Sequence, residues 1–296
     1  MDIKTAINNR ELKITNLDKT LWPDEGYTKS DLISYYSQVC EYILPFLKER
    51  PFVMQRFPDG IYGKSFYQKN CPSYAPEWIE TFKHKNTNYV LCNNEETLLW
   101  LANQSCIEMH VWMSTYQNEL YPDYAVFDLD PMPGITFDQV IKTALLVNSA
   151  MEEFSIRGYP KTSGAEGIHI FVPVEPIYTY EEIRLFVQFI FNLVNRITPD
   201  LTTQERSIDK RSQRIYLDSL QNARGKTMAS PYSLRPKEKA PASMFLTWDE
   251  IAKGGFTPSD YNIKTVLSKI EQNKDIHLSI PQDKQNLSNV LSLIKS

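Results

Sequence analysis

The stretch Tyr124-Ala125-Val126-Phe127-Asp128-Leu129-Asp130-Pro131 decides the reading of this chain. It is an extended apolar run that ends in two aspartates one residue apart. Side chains of a β-strand alternate between faces, so Asp128 and Asp130 point one way while Phe127 and Leu129 point into the opposite layer. Paired carboxylates at a strand end suit a hard divalent cation such as Mg²⁺ or Mn²⁺, which takes oxygen ligands and keeps positions for water and phosphate. That arrangement serves phosphoryl transfer. The same spacing also suits a polar strand end whose acids face solvent and whose Pro131 ends the pairing.

Downstream of this strand the pattern is regular. Thr136 and Gln139 stand in capping-box spacing and open a helix expected to reach about Phe154. The glycine-rich segment Lys161-Thr162-Ser163-Gly164-Ala165-Glu166-Gly167 leads into a strand from Ile168 to Val174, in which His169 points away from Ile168 and Ile170. Thr179 and Glu182 cap a second helix with Ile183, Phe186, Val187, Ile190, Leu193, Val194 and Ile197 inward. A strand from about Arg214 to Leu220 then carries a third acid, Asp218, on the face of Tyr216 and Arg214. The order is β-α-β-α-β, consistent with a split sheet covered by helices on one face. If the strands are neighbours, Asp218 joins Asp128 and Asp130, and three carboxylates hold two ions roughly 3.5–4 Å apart. The glycine-rich turn reads as a phosphate cradle or as an ordinary hairpin turn. His169 reads as a residue facing the site or as a hydrogen-bonded structural imidazole.

Upstream, Thr28 and Asp31 open a helix with Leu32, Ile33, Tyr36, Val39, Cys40, Ile43, Leu44 and Leu47 on one stripe. A further helix is expected from about Glu95 to Glu108, leading into His110-Val111-Trp112. The tail carries another capping box at Thr247 and Glu250, an amphipathic segment from Tyr261 to Ile270 and a helix candidate from Leu287 to Ile294.

A chain of 296 residues allows one large domain or two closely packed modules. Its net charge of −4 does not announce a nucleic-acid binder. From Arg206 to Lys239, however, nine Lys/Arg stand against three acids, which suits a polyanion-binding face or a solvated loop. Cys40, Cys71, Cys92 and Cys106 contain no C-x-x-C, so neither a zinc knuckle nor a disulfide framework is indicated. No run of about 18 apolar residues is present, and Met1-Asp2-Ile3-Lys4 lacks the layout of a secretory signal. The expected location is cytoplasmic, with no membrane association.

The ordered motifs F-D-L-D-P (127–131), K-T-S-G-x-x-G-x-H (161–169), Y-L-D-x-x-Q-N-x-x-G-K-T (216–227) and P-Y-S-L-R (231–235) closely resemble the polymerase domain of bacterial ligase D. That family belongs to the archaeo-eukaryotic primase superfamily and serves non-homologous end joining. The resemblance runs from about Leu12 to Trp248. It includes N-L-D-K-x-L-W-P (16–23), R-x-P-D-G (56–60), F-Y-Q-K-N (66–70), L-L-W-L-A-N (98–103) and E-M-H-V-W (108–112).

The resemblance implies an α/β (α+β) primase-like fold, with an N-terminal α/β module at about 1–120 packed on an RRM-like split-sheet module at about 121–245. A helical extension follows at 251–296. It implies Asp128, Asp130 and Asp218 as catalytic metal ligands for two ions, Mn²⁺ or Mg²⁺. Nucleotide-binding positions are His110, Ser163, Gly164, His169, Gln221, Lys226 and Arg235, for ribo- or deoxyribonucleoside triphosphates. Asn16, Lys19 and Lys29 match a pocket for a downstream DNA 5′-phosphate, and Phe66 and Tyr67 match an aromatic pair that stacks on template, which needs only a π-face. Viewed without the family, Lys19 and Lys29 read as solvated lysines, Phe66 and Tyr67 as core or hairpin aromatics, His110 as a core histidine and Arg235 as a salt-bridge partner. Three departures stand out: Glu166 where the family usually has Lys, Gln55 before Arg56, and Ser219 where Trp commonly follows the third acid.

The expected function is template-directed nucleotidyl transfer at gaps and DNA breaks, with ribonucleotide preference. The implied partners are gapped or broken DNA, a Ku-type end-binding protein and an ATP-dependent DNA ligase, in a nucleoid-associated setting; pairing of two molecules across a break stays open. The alternatives are a primer-independent primase-polymerase and a weakly catalytic module that binds and aligns ends. No K-x-D-G ligase motif and no His-rich phosphoesterase region is visible, so the chain reads as a polymerase module.

Overall fold

The computed structural model describes residues 3–8, 10–272 and 274–295, and Tyr124–Pro131 forms the central strand of a five-stranded sheet. The strand order is Tyr159–Thr162, Ile168–Pro173, Tyr124–Pro131, Ile215–Asp218, Thr202–Thr203. Neighbours pair antiparallel except for the last two, which are parallel. Alternation along the central strand works as the sequence predicts. Fully buried Phe127 meets Phe186 and Phe191 edge-on, with ring centroids 5.6 and 5.3 Å apart. The opposite face is left to Asp128 and Asp130.

The helical layer comes from Phe137–Glu152 and Tyr180–Ile197, which pack on one another and on the central strand. Both open on the predicted capping boxes, Thr136 with Gln139 and Thr179 with Glu182. Each box satisfies amides that the first helical turn otherwise orphans, a contribution of about 1 kcal/mol. In the second helix Ile183, Phe186, Val187, Ile190 and Val194 are buried as the spacing requires, with Phe191 beside them. Ile197 in the last turn is exposed instead.

Two devices hold the central strand to its neighbours. Along the central strand the pairing with Ile215–Asp218 covers Asp128 to Pro131 and stops short of Val126. Buried Asn222 takes over: its amide accepts from Val126 N–H at 2.9 Å and donates to Val126 C=O at 2.7 Å. On the other side Gly167 touches the strand so closely that a Cβ would lie 2.2 Å from the Leu129 carbonyl oxygen.

By packing, the chain forms two units. One comprises Met1–Gln117, Thr227–Ser243 and Ser259–Lys274; the other comprises Asn118–Lys226, Met244–Pro258 and Asp275–Ser296 and contains the sheet just described. The sequence reading put residues up to about 245 in the catalytic module. Thr227–Ser243 instead joins the first unit, because Thr227–Ala229 pairs with Cys106–Trp112 and Ser230 N–H bonds Met109 C=O. The extension at 251–296 divides between the units, and the basic stretch 206–239 divides at Lys226 and Thr227.

The first unit is built on the strand order Thr227–Ala229, Cys106–Trp112, Pro51–Arg56, Thr87–Leu91, Thr81–His84, with Phe66–Gln68 also paired to Pro51–Arg56. The helix opened by Thr28 breaks at Val39 into Lys29–Gln38 and Cys40–Leu47. The helix from Glu95 stops at Asn103, short of the expected Glu108. Ser105, at a left-handed φ of 56°, turns the chain into Cys106–Trp112, whose seven residues are all buried. A strand buried on both faces shows no alternation, which is why its start reads as helix.

Gly167→Ala is expected to lower stability by about 1–3 kcal/mol through overpacking against Leu129. Urea unfolding followed by circular dichroism checks this; an unchanged midpoint would contradict the close approach.

Candidate functional site

Register decides what the acids meet. Asp128 lies directly opposite Asp218 on one neighbouring strand and opposite His169 on the other. His169 in turn lies opposite Lys161. Lys161, His169, Asp128 and Asp218 therefore form a row across four strands on one face of the sheet, and Asp130 shares that face opposite Tyr216. The sequence predicted the three acids and His169 here. It missed Lys161 and Arg211.

Each acid has a protein partner. His169 Nε2 is 3.3 Å from Asp128 Oδ1. Arg211 Nη1 is 3.4 Å from Asp130 Oδ2, its guanidinium lying over the Tyr216 ring at 3.6 Å. Asp218 Oδ1 accepts from the Tyr216 hydroxyl at 3.3 Å and from Leu220 N–H at 2.9 Å. Burial and the like charge of Asp128 push the Asp218 carboxyl above its ordinary value, although these hydrogen bonds pull it back. Burial and Asp128 push Asp130 up as well; Arg211 opposes this, while Asp218 and Glu166 add to it. Burial and the Asp218 charge carry the Tyr216 phenol to about 12.

The turn at 163–167 is closed by its own serine. Ser163 Oγ accepts from the amides of Ala165 and Gly167, each at 3.0 Å, and Ser163 N–H bonds Gly167 C=O at 3.0 Å. Those two amides close the turn, which narrows the phosphate cradle that the sequence suggests. Gly164 takes the left-handed φ of 74° that the turn needs. Gln221 sits in the 3₁₀ turn Ser219–Asn222 directly after Asp218, and Lys226 is exposed beyond it.

In the first unit, buried Glu108 joins two predicted residues. Its Oε2 is 2.7 Å from His110 Nε2 and its Oε1 is 2.9 Å from Arg235 Nε. Burial raises the Glu108 carboxyl, but the hydrogen bond from His110 and the Arg235 charge outweigh it and hold the group below its ordinary value. The Tyr67 ring meets His110 edge-on at 5.7 Å, and Arg56 lies 5.4 Å over Phe66. Both Phe66 and Tyr67 are exposed, in contrast to the core alternative.

Asn16, Lys19 and Lys29 come together through the backbone. Lys19 N–H bonds Asn16 C=O at 3.0 Å and Lys29 N–H bonds Lys19 C=O at 2.8 Å. Lys29 is buried with its ammonium on Thr15, whereas Lys19 pairs with Asp59 at 3.1 Å.

A model of the family described as "LigD, primase-polymerase domain" matches residues 28–277. The chain belongs to the LigD primase-polymerase domain family. It is 38% identical to the bifunctional non-homologous end joining protein LigD of Bacillus subtilis over 88% of this chain and 43% of that protein. It is 32% identical to the multifunctional LigD of Mycolicibacterium smegmatis over 81% of this chain and 32% of that protein. The chain thus spans less than half the length of these curated relatives. Among solved structures, the polymerase domain of Mycobacterium tuberculosis ligase D in complex with DNA superposes with a TM-score of 0.84 at 27% identity, covering 93% of this chain and 99% of that one.

A LigD primase-polymerase domain is a nucleotidyltransferase that uses divalent metal. The donor set here fits such an ion: hard carboxylate oxygens repel one another across paired strands, the condition a cation relieves. Among the described residues no three His, Cys, Asp or Glu side chains are arranged to hold a metal ion as they stand. Asp128, Asp130 and Asp218 are turned to His169, Arg211 and Tyr216 respectively. Among the described residues, no helix is long and apolar enough to cross a membrane.

The raised carboxyls carry a sign. Between the ordinary value and the raised one, the folded state of the metal-free protein holds more protons than the unfolded state, so stability falls as pH rises through that window. Asp130→Asn should therefore have a higher urea midpoint than the parent at neutral pH. The gain should vanish as pH falls below the ordinary carboxylate range. Paired urea titrations from pH 3.5 to 7.5 in chelator check this; equal midpoints at pH 7 would contradict the mutual repulsion.

Proposed function

We propose that this chain is a template-directed nucleotidyltransferase that extends 3′ ends and fills gaps at DNA double-strand breaks during non-homologous end joining. The observation that carries the reading is the register that sets Asp128 against Asp218 with Asp130 on the same face. Asp128, Asp130 and Asp218 would hold two divalent ions, best Mn²⁺, which when bound activate a primer hydroxyl and neutralise phosphate charge.

The remaining assignments follow chemistry. Ser163, Gly164, His169, Gln221 and Lys226 in the second unit serve the incoming nucleotide. In the first unit, His110 and Arg235 are assigned to phosphate contact, with Glu108 fixing the imidazole and guanidinium so that little side-chain freedom is lost on binding. Exposed Phe66 and Tyr67 stack on unpaired template bases without regard to sequence. Asn16, Lys19 and Lys29 take the 5′-phosphate of the downstream strand. Ribonucleotide preference, a Ku-type partner, an ATP-dependent ligase and a nucleoid-associated cytoplasmic setting belong to the same reading.

One observation favours a second reading. Glu166 adds negative charge beside Asp130, where the family's lysine would add positive charge. A weakly catalytic module that binds and aligns 5′-phosphorylated ends is the reading this supports.

Primer extension on a one-nucleotide gap in Mn²⁺ separates the two. The parent should extend; Asp128→Ala should lose synthesis by a factor on the order of 10³ while binding the gapped DNA within about twofold, as read by fluorescence anisotropy. A parent that binds but never extends would favour the end-binding module. Removal of the downstream 5′-phosphate should weaken binding about tenfold, as for loss of one charge-assisted contact, and Lys29→Ala should mimic that removal.

A further inference from the structure

The row across the catalytic sheet begins with a residue that no catalytic step uses. Lys161 is fully buried in the strand Tyr159–Thr162, and its Nζ lies 2.9 Å from His169 Nδ1. We propose that Lys161 is a positioning residue that fixes the tautomer of His169 and, through it, the orientation of Asp128. This deepens the reading of Asp128 as a metal-holding carboxylate and rests on it.

The argument is one of donors and acceptors. An ammonium has three N–H donors and no acceptor, so Lys161 donates and His169 Nδ1 accepts. A ring that accepts at Nδ1 carries its proton on Nε2, and Nε2 faces Asp128 Oδ1 at 3.3 Å. The N–H therefore donates to the carboxylate, and the row is matched from Lys161 through His169 to Asp128. Two other arrangements set like against like: an imidazolium would point Nδ1–H at an ammonium, and a neutral amine accepting Nδ1–H from a neutral ring would leave the Nε2 lone pair facing Asp128. An imidazolium donating to a neutral amine is matched as well, but it carries a proton on Nδ1 and needs the lysine uncharged.

Surroundings support the charged lysine. The Phe171 ring lies 5.1 Å from Nζ and provides a cation–π contact in a site shielded from water. The carboxylates of Asp128 and Asp218 close the other end of the row, so the buried positive charge is offset within one layer of the sheet. Because Lys161, His169 and Asp128 are successive cross-strand partners, backbone pairing sets their spacing. Lys161 thus holds the ring, and the ring holds one carboxylate oxygen of Asp128.

Nitrogen-15 NMR of protein labelled at histidine tests this directly, with His169→Asn assigning the resonance. The parent should show His169 protonated at Nε2 and bare at Nδ1, and Lys161→Met should populate the Nδ1-protonated tautomer. A parent with Nδ1–H, or a Lys161→Met spectrum without change, would overturn the proposal; should Lys161→Met fail to fold, the parent spectrum alone decides. Kinetics supply a second arm. Lys161→Met should lower kcat about tenfold with nucleotide KM within about twofold, the usual cost of losing support behind a ligand. A glutamine accepts through Oε1 and donates through Nε2 as this tautomer does, so His169→Gln should cost no more than about tenfold in kcat and His169→Leu about a hundredfold. Equal losses in those two variants would overturn the proposal. A parent that shows the expected tautomer yet never extends a primer would sink the polymerase reading and leave the lysine–histidine pair standing.

Discussion

The structure depends on one register: Asp128 opposite Asp218 in an antiparallel pair. A slip of one residue would turn every side chain of Tyr124–Pro131 to the other face, burying both aspartates under Phe186 and Phe191 and exposing Phe127 and Leu129. The aromatic layer on one side and the acids on the other are thus the same constraint seen twice. Core burial sets the strand, and the strand sets the charges.

Concentrating carboxylates on one sheet face costs stability, as the raised Asp130 and Asp218 carboxyls show. The fold answers with cations and dipoles placed around the acids: Arg211 over Tyr216, the His169 ring, and the Leu220 amide. The proposed function therefore sits where the sheet is electrostatically least comfortable, and the helical layer supplies the compensating burial. Glu166 runs against this trend, adding to the negative charge around Asp130.

Much of this was legible in the sequence where the physics is local. Alternation in Tyr124–Pro131 assigned faces to Asp128 and Phe127, and the boxes at Thr136, Thr179 and Thr28 located helix starts through side chains three residues apart. The resemblance to ligase D polymerase domains named the three acids, His110 and Arg235 together. Glu108, which links the last two, was lost because the fully buried strand Cys106–Trp112 has no period to read. Lys161 and Arg211 were missed for another reason. Their partners, His169 and Asp130, are chosen by cross-strand pairing and by a loop that folds back, and neither is encoded within a short window.

Asn222 carries a lesson for anyone mapping activity by mutation. Its amide stands in for a missing strand, offering one donor and one acceptor at fixed spacing to Val126. Aspartate would lose the donor, alanine both, and glutamine would place them too far out. A functional scan would therefore group Asn222 with Asp128, two residues along the strand from its partner Val126, and with Asp218, four residues before it in the chain, although its role is to end a sheet. Intolerance to substitution beside an active centre can report carpentry as readily as chemistry.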